Sequence, residues 1–213
     1  MERISEVRRK TNETEVHVKL NLDGKGIAKL EYPVGFFAHM LNNFARHGLF
    51  DLELYATGDL EVDQHHLIED TGICLGSAFA QALGKKEGVR RVGSCLYPMD
   101  ETLARAAVDL SGRAFLVFEG TLSGIPLVSA CASGESAPFQ TDVVVDFWQA
   151  FVSTAACTLH LDILRGRSDH HKIEALFKAA GRALRDAVEP DPRGAGILPS
   201  TKGTLDSGGV YLC

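Results

Sequence analysis

The chain has 213 residues, 45% of them hydrophobic and 23% charged, which suits a folded protein with a sizeable core and excludes a disordered or fibrous one. A formal net charge of −6 argues against a general nucleic-acid binder, and no apolar run approaches the ~20 residues needed to cross a bilayer. The charged start MERISEVRRK leads into no apolar signal segment, and five scattered cysteines without a CxxC pair suit free thiols in a reducing cytoplasm.

Residues 14–22 alternate apolar and polar as a half-buried strand does, and a second extended run, 27–32, follows the Gly24-Lys25-Gly26 turn. Residues 35–47 carry Phe37, Met40, Leu41 and Phe44 at helical spacing, 49–56 reads as a strand, and 64–83 as a long helix ended near Gly84. A basic hinge spans 84–99. The order then recurs, with strands at 103–110 and 114–119, a Gly/Ser/Ala-rich connection at 120–138, a helix at 139–156, a strand at 158–164 and a helix at 169–188. The expected fold class is α+β, with duplicated ββαβα halves, each a mostly antiparallel sheet covered by two helices on one face. The expected division is 1–88, 89–190 and a Pro/Gly/Ser/Thr-rich tail at 191–213.

Residue matches support the duplication. The pattern HHxxE occurs at His65-His66-x-x-Glu69 and again at His170-His171-x-x-Glu174. Upstream of these, ETEVHVKLNLDGK (13–25) aligns without a gap on ETLARAAVDLSGR (101–113), pairing Glu13 with Glu101 and Gly24 with Gly112. On a helix, Glu69 lies i+4 from His65 and i+3 from His66, while adjacent histidines diverge by ~100° around the axis. Each helix thus offers two imidazoles in different directions beside one carboxylate, which suits two metal ions sharing an element. One such pair at a helix start would read as solvated polar residues; two copies in matching halves point to chemistry. Imidazole plus carboxylate without thiolate selects Mn, Fe, Co, Ni or Zn in a non-structural site, and the HExxH arrangement of metalloproteases is absent. His17 and His160 read as polar strand residues, and His39 alone would read as a satisfied helix histidine.

The segments FFAHMLNNFARHGLFDL (36–52), DQHHLIEDTGICLGSAF (63–79), PMDETLARAAVDLSGR (98–113), TLHLDILRGRSDHHKIEALFKAAGRAL (158–184) and LPSTKG (198–203), with RKTNETEV near the start, resemble the imidazoleglycerol-phosphate dehydratase family over nearly the whole chain. The resemblance implies a duplicated ribosomal protein S5 domain 2-like fold and a dinuclear manganese site, two Mn²⁺ per active site. It implies metal ligation by His39, His65, His66, Glu69, His170, His171 and Glu174. Asp146 stands where the family often has a further histidine, and Ala38 stands where an acid or amide commonly precedes the histidine. Substrate contacts carry over to Glu13, Arg91, Arg113, Lys178, Ser200, Thr201 and Lys202, and His47 shares a helix with His39. His39, His65, Glu69 and His170 would meet the substrate as well as the metal.

The implied reaction is loss of water from D-erythro-imidazoleglycerol phosphate, giving imidazole acetol phosphate. It removes a proton from a carbon with no neighbouring carbonyl, so the substrate's own ring must act as electron sink, through a diazafulvene-like intermediate. Glu13 is the leading candidate for the base and Glu174 the alternative. The resemblance also implies a 24-subunit homo-oligomeric shell with active sites at subunit interfaces, without nucleic-acid or membrane partners. A dinuclear hydrolase of phosphate esters would use the same ligands but release phosphate; a non-catalytic metal-binding shell would leave the basic residues unexplained.

Overall fold

In the computed structural model, residues 3–128 and 138–205 are described; Cys131, Cys213 and the inner part of the 120–138 connection lie outside them, as does the last stretch of the tail. The first half consists of β1 (Ile4–Lys10), β2 (Thr14–Asn21), β3 (Ala28–Glu31), α1 (Gly35–Gly48), β4 (Asp51–Gly58) and α2 (His65–Leu83). The second repeats it as β5 (Val92–Met99), β6 (Thr102–Asp109), β7 (Phe115–Glu119), α3 (Val143–Ala155), β8 (Thr158–Arg165) and α4 (Asp169–Val188). The sheets have the same order, β1-β2-β4-β3 and β5-β6-β8-β7, antiparallel except for the β3–β4 and β7–β8 pairings. The duplicated α+β organisation holds, with one more edge strand per half than the sequence pattern showed.

Those two extra strands were silent for a physical reason. On β1 the helix-facing positions include Ser5 and Arg9, which are satisfied by α2: Ser5 Oγ donates to the Ala78 carbonyl at 2.7 Å, and Arg9 pairs with Asp70 at 2.8 Å. On β5, Gly93 lies directly against the α4 backbone at Ala183. Neither strand therefore shows the apolar alternation that marks β2, whose Val16, Val18 and Leu20 are wholly buried.

The helices lie between the two sheets and pair across the halves, α1 on α4 and α2 on α3. Phe147 and Phe177 stack at this junction and Phe37 meets both edge-on, beside Trp148 and Phe44. Glycines set the closeness. A Cβ on Gly76 would clash with the Phe151 carbonyl oxygen, and one on Gly181 would lie 2.6 Å from that of Phe44. Gly76 and Gly181 occupy the same place after the two HHxxE motifs, and Phe44 and Phe151 the same place on α1 and α3. One helix crossing is thus built twice. Leu49 and Ala156, ending α1 and α3, also match, both with left-handed backbone at φ 54° and 50°. No helix among the described residues is long and apolar enough to cross a membrane.

Gly76→Ala and Gly181→Ala should each lower unfolding stability by ~1–3 kcal/mol in urea titrations, because facing backbone has nowhere to retreat. Gly35→Ala, with nothing within 4 Å of the added methyl, should leave it nearly unchanged.

Candidate metal centre

The helix pairing brings the HHxxE motif of each half against the aligned position of the other half's first helix. On α4, His170 Nε2 and His39 Nε2 of α1 approach Glu174 Oε2 at 3.2 and 3.6 Å. On α2, His65 lies 3.5 Å from Asp146 of α3 through Nδ1 and 3.9 Å from Glu69 through Nε2. These are two copies of one arrangement, with Asp146 in the place of His39.

The copies differ in surroundings. Glu174 has a side-chain exposure of 9% against 48% for Glu69. Burial raises the Glu174 pKa, but Lys178 Nζ at 2.7 Å and the two imidazoles outweigh it and hold the carboxyl below its ordinary range. Lys178 also reaches toward the Tyr97 ring, on which His47 stands edge-on at 5.3 Å between centroids. Burial, then Lys178 and Arg182, depress the His47 pKa, favouring a neutral imidazole.

His66 and His171 turn away from these clusters; their rings stand at 89° and 88° to those of His65 and His170. Glu69 therefore serves His65 and not both imidazoles. His66 Nδ1 lies 2.9 Å from Asp59 and 3.8 Å from Glu13, and its pKa is raised chiefly by the Asp59 hydrogen bond. His171 Nδ1 lies 2.8 Å from Glu101, whose own pKa is pulled down to about 2, foremost by that bond. Among the described residues, three groups with donor atoms within 4.8 Å result: His39, His170 and Glu174; Glu13, Asp59 and His66; Asp100, Glu101 and His171. Glu13 is exposed and lines a shallow hollow of about 360 Å³ with Asp59 and Lys10.

Sequence reasoning left out Asp59, Asp100 and Glu101. Glu101 carried a signal, being the aligned copy of Glu13. Asp59, just beyond β4, has no acidic counterpart in the second half and carried none.

The α4 start that presents His170 and His171 is clamped from behind. Asp169, buried, accepts bonds from Ser123 N and Oγ at 2.6 Å each and from Lys172 Nζ at 3.0 Å. Burial opposes its ionisation, yet these partners keep its carboxyl below the ordinary 3.8.

The expected phosphate contacts lie elsewhere. Arg91 is bidentate to Asp109 and donates to the Pro199 carbonyl at 2.6 Å, tying down the start of the LPSTKG segment. Ser200 Oγ donates to the Thr204 carbonyl, while Thr201, Lys202 and Arg113 are exposed. A cavity of about 500 Å³ separates this segment from the C-terminal end of α2, lined by Gly84, Lys85, Lys86, Gly112, Leu198 and Leu205 among others. His65 and this cavity are at opposite ends of α2, ~27 Å apart at the helical rise per residue.

The chain is thus a duplicated α+β protein whose paired helices carry matched groups of imidazoles and carboxylates of the kind that could hold a metal ion. Residues 32–184 match the family model described as imidazoleglycerol-phosphate dehydratase. The chain is 49% identical over 203 residues to the imidazoleglycerol-phosphate dehydratase of Methylibium petroleiphilum, covering 95% of this chain and 98% of that one. It is 51% identical to that of Acinetobacter baylyi, covering 96% of each. Its structure resembles the crystal structure of the Staphylococcus aureus enzyme, with a TM-score of 0.73, 34% identity and coverage of 88% and 99%. It also resembles that of the Pyrococcus furiosus enzyme in complex with (S)-C348, with a TM-score of 0.74, 31% identity and coverage of 93% and 100%. The chain belongs to the imidazoleglycerol-phosphate dehydratase family. Its reaction is the dehydration of imidazoleglycerol phosphate in histidine biosynthesis, that of a hydro-lyase (EC 4.2.1.19).

Lys172→Met should leave Asp169 as a buried uncompensated anion and cost roughly 3 kcal/mol of unfolding stability near neutral pH. Because the folded carboxyl titrates below 3.8, the clamp is fully formed above that pH and is lost as pH falls through the folded value. The variant's deficit should therefore shrink in acid when urea midpoints are compared.

Proposed function

We propose that the dehydration is carried out at two divalent cations, manganese by the family resemblance, in sites that one chain cannot complete alone. The donor set fits such ions: imidazoles and carboxylates converge without thiolates, and Glu174 is a buried anion whose lysine partner leaves Oε2 facing His39 and His170. His39, His170 and Glu174 would hold a cation on one side, His65, Glu69 and Asp146 on the other, with His66 and His171 supplied from the outward faces of α2 and α4. Bound there, a divalent cation supplies a Lewis acid that stabilises the deprotonated substrate imidazole.

Glu13 takes the proton from the carbon bearing the retained hydroxyl, the hydroxyl next to the ring departs as hydroxide and receives that proton to become water, and the resulting enol shifts to the ketone. It is exposed in the hollow beside Asp59 and His66, and with Oε2 standing 3.8 Å from His66 Nδ1 its other carboxylate oxygen is turned to meet a substrate carbon. Glu174 is less suited to proton transfer, since Lys178 and two imidazoles stabilise its anion. The phosphate is gripped by Arg113, Ser200, Thr201 and Lys202, with Arg91 anchoring the segment and Lys178 and His47 lining the approach beside His39.

One observation carries the shared-site reading: the LPSTKG segment, which by the resemblance would grip the phosphate, lies by the C-terminal end of α2, and His65, His66 and Glu69 lie at its start, too far apart for one small substrate to touch both within a chain. A second copy must bring its tail, or its outward histidines, to complete the site. This supports a homo-oligomer, for which the family resemblance implies a 24-subunit shell in the cytoplasm.

Glu13→Gln should retain manganese by metal analysis and lose ~10²–10⁴-fold in kcat; near-normal turnover would remove Glu13 as the base. Chelation should lower both activity and assembly size in gel filtration, and an unchanged assembly would separate the metal from the oligomer. Co-assembly of inactive His66→Ala and Lys202→Ala chains should restore part of the activity, whereas hybrids that stay inactive in every ratio would place the site within one chain.

A further inference from the structure

We propose that Asp59 and Glu101 are positioning residues that fix His66 and His171 as Nδ1–H tautomers, leaving each Nε2 lone pair outward as a cation donor. This rests on the reading of His66 and His171 as metal ligands. A carboxylate only accepts, so a hydrogen bond between it and Nδ1 places the proton on Nδ1 and leaves Nε2 bare in the neutral ring. The two contacts are alike, 2.9 Å for Asp59 Oδ2 to His66 and 2.8 Å for Glu101 Oε2 to His171. Neither Nε2 has a hydrogen-bond partner among the described residues. The neighbouring His65 and His170 behave oppositely, turning Nε2 toward the carboxylate of their own helix.

The carboxylates reach the same place by different routes. Glu101 comes from the turn between β5 and β6, and its other oxygen accepts from Ser168 N at 3.1 Å and Arg167 N at 3.4 Å. It is held at both ends and has no freedom to follow a substrate. Glu13, its aligned copy, stands 3.8 Å from His66 Nδ1, and Asp59 holds that nitrogen instead. The backbone amide of Asp59 donates to the Glu13 carbonyl at 3.1 Å, so the substitute orienting group is attached beside the residue it releases. A duplicated glutamate has thus diverged into one fixed orienting residue and one free for proton transfer.

The two amide substitutions separate this from a loss of charge. Asp59→Asn can still present a carbonyl oxygen to His66 Nδ1–H and should bind Mn²⁺ nearly as the parent does. In Glu101→Gln the amide oxygen is retained by the Ser168 and Arg167 amides, which turns the NH₂ toward His171 and forces the proton to Nε2. That variant, like Asp59→Ala, should bind Mn²⁺ ~10–100-fold more weakly. Affinity is read by chelator competition on the assembled protein, alongside the melting temperature of the metal-free form, which should be unchanged in Asp59→Ala. Parent-like affinity in Asp59→Ala, or equal losses in the two amide variants, would overturn the proposal. His66→Ala separates the two levels: no loss of affinity there removes the donor reading itself, and a loss there without one in Asp59→Ala removes the positioning role alone.

Discussion

The rest of the architecture hangs on two places where one helix lies directly on another's backbone, Gly76 against Phe151 and Gly181 against Phe44. Each crossing joins a helix of one half to a helix of the other, so the same contact closes the core and sets the chemistry. With α2 against α3, His65 meets Asp146; with α4 against α1, His170 and Glu174 meet His39. A methyl group at either glycine would act on both, prising apart the aromatic junction around Phe147 and Phe177 and pulling donor atoms out of range.

Matched backbones have been given unequal electrostatics. The Lys178 position on α4 corresponds to Ile73 on α2, so one cluster has an internal counter-charge and the other has none. Glu174 is sheltered and paired, while Glu69 and Asp146 stand half in solvent. As cation sites of the proposed centre, the two clusters would differ in retention: the open one gains more from charge neutralisation, and the closed one is better preorganised. Divergence of this kind needs no change of fold, only substitutions on helix faces whose spacing the crossings already fix.

Much of this could be read from the chain itself because duplication doubles every signal. The helices and the alternating strand β2 announced themselves by period, β6 by its alignment with the first half, and HHxxE by recurrence. What escaped was what tertiary partners satisfy. β1 and β5 turn serine, arginine, glycine and cysteine inward, positions that make sense only once α2 and α4 lie over them. The pairing of helices across halves was equally invisible, since Gly76 and Gly181 read as ordinary helical glycines until the facing carbonyls are seen. Asp59 was one of three acids, with Glu61 and Asp63, in the turn before α2, and no copy in the second half marked it out, although the duplication had already paired Glu101 with Glu13. His66 was expected to share Glu69 with His65, but the divergence of adjacent residues around a helix sends it to Asp59.

The pairing of helices across the halves bears on the origin of the fold. A half by itself would leave Gly76 or Gly181 facing water and the apolar faces of its two helices uncovered. Two identical halves could bury them by packing helix on helix about a two-fold axis, each first helix on the other's second. Such a pair would carry two identical clusters, each holding one residue from the first helix of one copy and an HHxxE motif from the other. The present chain then reads as that symmetric dimer made covalent, after which the two clusters were free to become different.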